Sequence, residues 1–113
     1  MATQRLTSAD FRAFRPKTRT HGSLFTLSVA PHENGPKWAC VVPNRIAPKA
    51  ATRNTIKRKC REVLRKEFLG SKEQQAFVFN AKREAATATL SDVAYDIRAL
   101  LGRVGFRGTI PRT

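Results

Sequence analysis

The sequence predicts an α+β fold: a two-layer α/β sandwich in which helices, one of them long and basic, pack on a small mixed sheet. Three observations predict it. Three short segments have the hydrophobic pattern of strands, a long amphipathic segment separates the second strand from the third, and a shorter amphipathic segment follows the third. Helices on one face of a sheet give two layers. The length predicts a single domain over residues 1–113, with one hydrophobic core.

The first predicted elements are a short helix over residues 8–14 and a strand over residues 23–29. Thr7 or Ser8 can cap the helix, Asp10 is favourable in its first turn, and the proline that follows prevents its continuation. In the strand, apolar residues alternate with Ser and Thr, which is the pattern of a strand with one buried face.

A second strand is predicted over residues 37–42 and a third over residues 75–80. Residues 31–36 contain Asn-Gly between two prolines, so the first two strands are expected to form a hairpin. The helix that connects the second strand to the third allows these two to pair in parallel. A last helix is expected over residues 92–101, capped by Ser91.

The longest predicted element is a helix over residues 49–69. It contains no Gly or Pro, and Gly70 ends it where a left-handed residue is favourable. Its apolar residues recur at helical spacing: Ile56, Cys60, Val63, Leu64 and Phe68. The helix therefore has an apolar face that can pack on the sheet.

The chain is strongly basic. Its 22 Lys and Arg outnumber 8 Asp and Glu, for a formal net charge of +14. Self-repulsion of this size favours an anionic partner, with nucleic acid as the first expectation and an anionic membrane as the second. The sequence has no apolar stretch long enough to span a bilayer and no apolar segment after its first residues. A cytoplasmic protein without a secretory signal is therefore expected.

The cysteines, the histidines and the last residues are assigned no special chemistry. Cys40 and Cys60 lie within apolar patterns, so they are expected to be separate, reduced and buried side chains. His21 and His32 flank turns without other metal-ligating residues at a suitable spacing, so they are expected to be solvated loop residues. Residues 102–113, which contain three Gly and several Arg, predict a flexible basic tail.

Basic residues crowd the long helix and the segment before it. They are Arg45, Lys49, Arg53, Lys57, Arg58, Lys59, Arg61, Arg65 and Lys66. Only Glu62 opposes them in this window, although acidic residues four positions away would stabilise the helix. At about 100° per residue, Lys57, Arg58, Arg61 and Arg65 fall on one third of the circumference, beside the apolar face. We expect this face to line one wall of a groove.

The residue types suit RNA. A guanidinium binds phosphate oxygens through a planar fork and can stack on bases. Asn54 can donate and accept hydrogen bonds, so it suits a 2′-hydroxyl or a base edge. Phe11 or Phe14 can stack on an unpaired base, although such residues more often belong to a core. The sequence has no Ser–His–Asp, paired-carboxylate or Gly-rich phosphate-binding motif, so neither catalytic residues nor a metal site are expected in the chain itself.

Residues 50–62 resemble the signature of the bacterial ribonuclease P protein component, Arg-Asn-x-x-Lys-Arg-x-x-Arg. All five fixed positions are present: Arg53, Asn54, Lys57, Arg58 and Arg61. An early Asp-Phe pair and a later apolar strand also match, so the resemblance covers about residues 6–101. The chain departs from the family at Asn44-Arg45, where two basic residues are usual, and at Phe14, which stands one position early.

The resemblance implies a fold similar to a ribosomal-protein domain, with a left-handed parallel crossover, although right-handed crossovers dominate in general. It implies an accessory subunit of an endoribonuclease that cleaves the 5′ leader from precursor tRNA. Its partners would be precursor tRNA and a catalytic RNA, which performs the hydrolysis with Mg²⁺, and the protein alone would hold no cofactor. The signature and the basic pattern together predict these RNA contacts: Arg53, Asn54, Lys57, Arg58, Arg61, Arg65, Arg45, Lys49 and Phe11.

Two other functions remain open on composition alone. One is a structural ribosomal or general RNA-binding protein without a role in cleavage. The other is a basic module that binds DNA or a membrane surface. The signature favours the ribonuclease P subunit over both.

Overall fold

The structure, a computed structural model, describes residues 5–106. Its elements are α1 (Ser8–Ala13), β1 (Thr18–His21), β2 (Phe25–Pro31), β3 (Lys37–Val41), α2 (Ala50–Glu67), β4 (Gln75–Ala81), a short 3-10 helix (Arg83–Thr87) and α3 (Leu90–Arg103). Every predicted helix and strand is present within two residues of its expected bounds. β1 was not predicted, because a strand without apolar residues has no hydrophobic pattern.

The four strands form one mixed sheet in the order β1-β2-β4-β3. β2 pairs antiparallel with both β1 and β4, and β4 pairs in parallel with β3, to which α2 connects it. The α+β fold class and the parallel pair are therefore confirmed. The hand of the crossover stays a prediction.

The predicted hairpin between the segments that form β2 and β3 is wrong, because β4 lies between them. Residues 76–79 of β4 are all buried, whereas Trp38 is the one buried residue of β3. A strand that is apolar on both faces belongs in the middle of a sheet, where both faces and both edges are covered. The hairpin of this fold is instead formed by β1 and β2.

The core lies between the sheet and the two long helices. Side chains from alternate positions of the strands enter it: Phe25, Leu27, Val29, Trp38, Phe77 and Phe79. The predicted apolar face of α2 meets them, and α3 adds Val93, Ile97, Leu100 and Leu101. The helix faces expected from the spacing are therefore the buried faces.

α3 begins two residues earlier than predicted, because its cap is Thr89 and not Ser91. Thr89 Oγ1 accepts a hydrogen bond of 3.1 Å from the Asp92 N–H, and the Asp92 carboxylate accepts one of 3.0 Å from the Thr89 N–H. This reciprocal pair satisfies two backbone donors at the start of the helix.

Asp96 of α3 holds the turn between β1 and β2. Its carboxylate is 6% exposed and accepts hydrogen bonds of 2.9–3.0 Å from the backbone N–H groups of Ser23, Leu24 and Phe25. A Cβ atom at Gly22 would lie 2.7 Å from the Asp96 oxygens, so the close approach requires glycine. The hairpin is thereby fixed to α3.

The expectation of two separate thiols is wrong. Cys40 of β3 and Cys60 of α2 form a disulfide, with Cα atoms 6.5 Å apart. They are 20 positions apart in sequence, but α2 folds back over β3 and brings the two side chains together. The bond links the edge strand of the sheet to the basic helix.

The C-terminal part of the described chain packs on the core. Phe106 belongs to the segment predicted as a tail. The centroid of its ring lies 4.6 Å from that of Phe68 and 5.5 Å from that of Phe77. Residues 107–113 of the predicted tail lie outside the described residues. In the range 5–106, no helix is both long and apolar enough to cross a membrane.

Candidate nucleic-acid interface

α2 presents two polar flanks, one on each side of its buried face. At about 100° per residue, the flank toward β3 carries the residues that we call the basic flank: Asn54, Lys57, Arg58, Arg61 and Arg65. The opposite flank faces α3, where Glu62 and Lys66 line a cavity between the two helices. Glu62 is one helical turn from Arg58 and Arg65, at the outer edge of the basic flank, but it lies away from Lys57 and Arg61.

A groove runs along β3, the edge strand of the sheet, between α1 and α2. We call it the edge groove, and its wall includes Arg5, Leu6, Phe11, Trp38, Lys57 and Arg61. The Phe11 side chain is 41% exposed and can offer a ring to a ligand. The structure thus brings one predicted stacking residue and two predicted phosphate-binding residues to the same groove.

Arg53, the first residue of the signature, has a structural contact. It is partly buried, and its Nη1 donates to the carbonyl oxygens of Ala47 at 3.0 Å and Pro48 at 2.7 Å. These bonds hold the loop before α2 against the first turn of the helix. Any contribution of Arg53 to binding is therefore combined with a contribution to local folding.

The other predicted contacts lie on the surface. Asn54, Arg58 and Arg65 are exposed on the basic flank, and Arg45 and Lys49 are exposed in the loop before α2. They lie outside the wall of the edge groove. They could therefore contact a partner that covers α2 from outside.

Lys59 shows that one cation in the basic run serves the fold. Its Nζ donates a hydrogen bond of 2.8 Å to the Ala88 carbonyl oxygen, just before α3. It lies on the flank of α2 opposite the edge groove. The charge count of the helix therefore overstates the number of cations that face a ligand.

α1 is fastened by polar contacts, because none of its residues is buried. Thr7 and Asp10 form a reciprocal cap, and Asp10 Oδ1 lies 2.9 Å from Nε2 of His32, in the loop after β2. The hydrogen bond from His32, and then that from the Thr7 backbone, lowers the pKa of Asp10 from 3.8 to about 2. The His32 side chain is 17% exposed, so the expectation of a solvated loop histidine is wrong for it, whereas His21 is exposed.

Sequence reasoning missed the part of the edge groove that residues 5–6 and β3 form, including Arg5, Leu6 and Trp38. The Leu6 N–H donates to the Trp38 carbonyl oxygen at 3.0 Å, and Arg5 forms a bridge with Trp38, so residues 5 and 6 lie along β3. The Trp38 indole is 4% exposed, and its N–H finds no acceptor within residues 5–106. Arg5 next to Leu6 was a signal that the sequence offered. The pattern of β3 gave no sign that Trp38 lines the groove.

Comparison with known proteins identifies the family. The model of the Ribonuclease P family matches residues 2–105, which is most of the chain. The chain belongs to this family. Its role is therefore that of a ribonuclease P protein, in an RNA-containing complex that processes tRNA. A search of curated protein sequences found no match.

Solved structures of ribonuclease P proteins share the fold. The protein from Staphylococcus aureus superposes with a TM-score of 0.76 at 18% identity, covering 92% of this chain and 97% of that one. A mutant of it with defective mRNA degradation activity gives 0.77 at 19% identity, with coverage of 89% and 87%. The protein from Thermotoga maritima gives 0.75 at 20% identity, with coverage of 89% and 97%. At these identities the similarity establishes the architecture.

Proposed function

We propose that this member of the Ribonuclease P family binds the catalytic RNA of ribonuclease P and the 5′ leader of precursor tRNA, and thereby supports endonucleolytic maturation of the tRNA 5′ end. One observation carries the proposal: Phe11, Lys57 and Arg61 line the same groove. Two other residues of the signature, Asn54 and Arg58, lie beside it on the basic flank of α2. The edge groove and the exposed part of the basic flank are adjacent but formed by different residues, so each can bind a different RNA.

The edge groove suits a single strand of RNA. An unpaired strand exposes the faces of its bases together with its phosphates, whereas a duplex hides the base faces. Stacking of a base on an aromatic ring such as Phe11 contributes about 1–3 kcal/mol and depends little on sequence. Lys57 and Arg61 can neutralise the phosphates on either side of such a base. We assign the leader to this groove.

The exposed part of the basic flank suits a structured RNA. Arg58 and Arg65 are exposed, so their guanidinium groups can bind phosphates through a planar fork. Asn54 can bind a 2′-hydroxyl, which distinguishes RNA from DNA. We assign the catalytic RNA to this surface, with Arg45 and Lys49 extending it.

The proposal assigns hydrolysis to the RNA subunit, where bound Mg²⁺ supplies the activated water. Mg²⁺ prefers an octahedral set of oxygen ligands. Within residues 5–106, no three His, Cys, Asp or Glu side chains converge as such a set. The residues of this chain hold the leader and reduce the repulsion between its phosphates and those of the catalytic RNA. Less free Mg²⁺ is then needed for that screening.

Reconstitution tests the proposal. The protein is added to a bacterial ribonuclease P RNA at a Mg²⁺ concentration too low for the RNA to cleave precursor tRNA alone. We expect cleavage at the 5′ end of the mature sequence to be restored. Phe11→Ala should reduce the affinity of the holoenzyme for precursor tRNA but not for mature tRNA, because only the precursor has a leader.

The matched control is Phe14→Ala, which removes the neighbouring aromatic ring of the same segment and does not line the edge groove. It should leave the preference for the precursor in place. If the protein binds many RNAs equally well and leaves cleavage unchanged, the chain is a general RNA-binding protein, and the proposal is wrong.

A further inference from the structure

We infer that His32 is a positioning residue for the edge groove: through Asp10 it fixes α1, and with it Phe11. The inference rests on the proposed function and deepens it. It assigns a role to a side chain that lies outside the signature, outside the groove wall and on a different element from Phe11.

α1 needs an anchor. It has six residues and buries none of them, whereas an isolated helix shorter than about 12 residues is marginal in water. Its flanking backbone is attached before the helix, where the Leu6 N–H donates to the Trp38 carbonyl, and after it, where the Lys17 N–H donates to the Val29 carbonyl. The bond between Asp10 and His32 fastens the middle of this ten-residue span.

His32 is itself held firmly enough to serve as the anchor. Its backbone N–H donates to the Gln74 carbonyl at 3.0 Å, one residue before the inner strand β4. Its ring Nδ1 accepts a hydrogen bond of 3.1 Å from the Asn34 N–H, so in the neutral ring the proton is on Nε2. That N–H points at Asp10 Oδ1. The loop therefore fixes both the tautomer and the direction of the ring.

Asp10 transmits this position to the helix. One of its oxygens accepts the bond from His32, and the other accepts the Thr7 N–H at 2.9 Å. Both oxygens of the carboxylate are thus engaged, one by the loop and one by the helix cap. Phe11 is the next residue, so fixing Asp10 fixes the backbone that places the Phe11 ring in the groove also lined by Lys57 and Arg61. A ring that is already in place loses less entropy when a base stacks on it.

The test compares His32→Ala with His32→Gln and uses two readouts. Gln retains an N–H donor at a reach similar to Nε2, whereas Ala removes it. The first readout is hydrogen exchange at the Phe11 amide, which donates to the Thr7 carbonyl and reports opening of α1 in the isolated protein. The second is the ratio of holoenzyme affinities for precursor and mature tRNA. His21→Ala, at an exposed histidine, is the control.

His32→Ala should speed exchange at Phe11 and lower the precursor preference by about fivefold, as expected for one lost hydrogen bond. It should leave the affinity for mature tRNA and the cleavage rate at saturating precursor unchanged, and His32→Gln should restore both readouts. Unchanged exchange and preference in His32→Ala, or an equal loss for both tRNAs, would overturn the inference. If wild-type holoenzyme itself shows no precursor preference, the proposed function fails, and exchange still decides whether His32 holds α1.

Discussion

Replacing Lys57 and Arg61 together with Ala tests the edge groove as an electrostatic grip. Both side chains line the groove, and each can neutralise one phosphate. Each lost phosphate contact lowers the slope of log affinity against log salt by about 0.7–0.9. Loss of both should lower it by about 1.6, which makes the variant about tenfold less sensitive to a rise from about 50 to about 200 mM salt. If wild type contacts about six phosphates, its own loss over this range is about a thousandfold.

The assay is equilibrium binding of fluorescently labelled precursor tRNA and catalytic RNA over this salt range at constant Mg²⁺. The matched control is Lys66→Ala with Arg83→Ala, which removes the same charge from the opposite flank of α2 and from the 3-10 helix. The control should retain the wild-type slope within about 0.3, since neither cation faces the groove. Parallel lines for wild type and the groove variant would refute the reasoning, whatever the change in absolute affinity.

Three further predictions concern the residues that hold the interface in shape. Asp96→Ala should lower the free energy of unfolding by about 3 kcal/mol in urea titrations, because three backbone donors lose a charged acceptor. Asp92→Ala should lower it by about 1 kcal/mol, because only the Thr89 N–H loses its acceptor. Arg53→Ala should lower it by about 1 kcal/mol through loss of its carbonyl bonds, whereas Arg61→Ala should leave unfolding unchanged; equal stability of the two variants would show that Arg53 has no structural role. Because the pKa of Asp10 is lowered in the folded protein, its ionised carboxylate stabilises the fold fully above pH 3.8, and this stabilisation is lost as the pH falls toward 2. Asp10→Asn should therefore lose less stability than wild type between pH 4 and 2, as measured by urea titration at each pH.

The long helix and its basic face could be predicted because both depend on residues that are close together in the sequence. An amphipathic helix is determined by residues three and four positions apart, and α2 has its apolar and basic residues at that spacing without interruption. The same periodicity places Lys57 and Arg61 on the side of Ile56 and Cys60 that faces β3. Periodicity therefore predicted the wall of the groove that α2 forms, whereas the place of Phe11 in the groove was implied only by the family resemblance.

The pairing of strands could not be predicted in the same way, because it depends on residues far apart in the chain. The turn between residues 31 and 36 favours a hairpin, but β4 gains more from the central place than β3 does, since its side chains are buried on both faces. The continuous apolar run of β4 was the available signal for a central strand. β1 carried no such signal, since a polar edge strand has the composition of a loop.

The contacts of His32, Arg53 and the cysteines were hidden for a related reason. Asp10 and His32 are 22 positions apart, and the fold alone brings them within hydrogen-bonding distance. Arg53 belongs to a signature that indicates RNA binding, so its bonds to carbonyl groups of its own loop have no sequence signal. Cys40 and Cys60 sit in apolar surroundings that suit either buried thiols or a disulfide.

The distribution of the acids explains how so basic a chain can fold and still present a concentrated positive surface. Four of its eight acids lie on α3 or against it: Glu62, Glu67, Asp92 and Asp96. Two of these are buried, Asp96 among backbone donors and Glu67 against Arg98 at 2.9 Å, so their charge stabilises the body of the protein. Lys57 and Arg61 lie on the side of α2 that faces β3, whereas Glu62 is about 100° or more away from both and lines the cavity beside α3. An external anion bound there reduces the repulsion that remains between the cations, and this reduction adds to the free energy of binding.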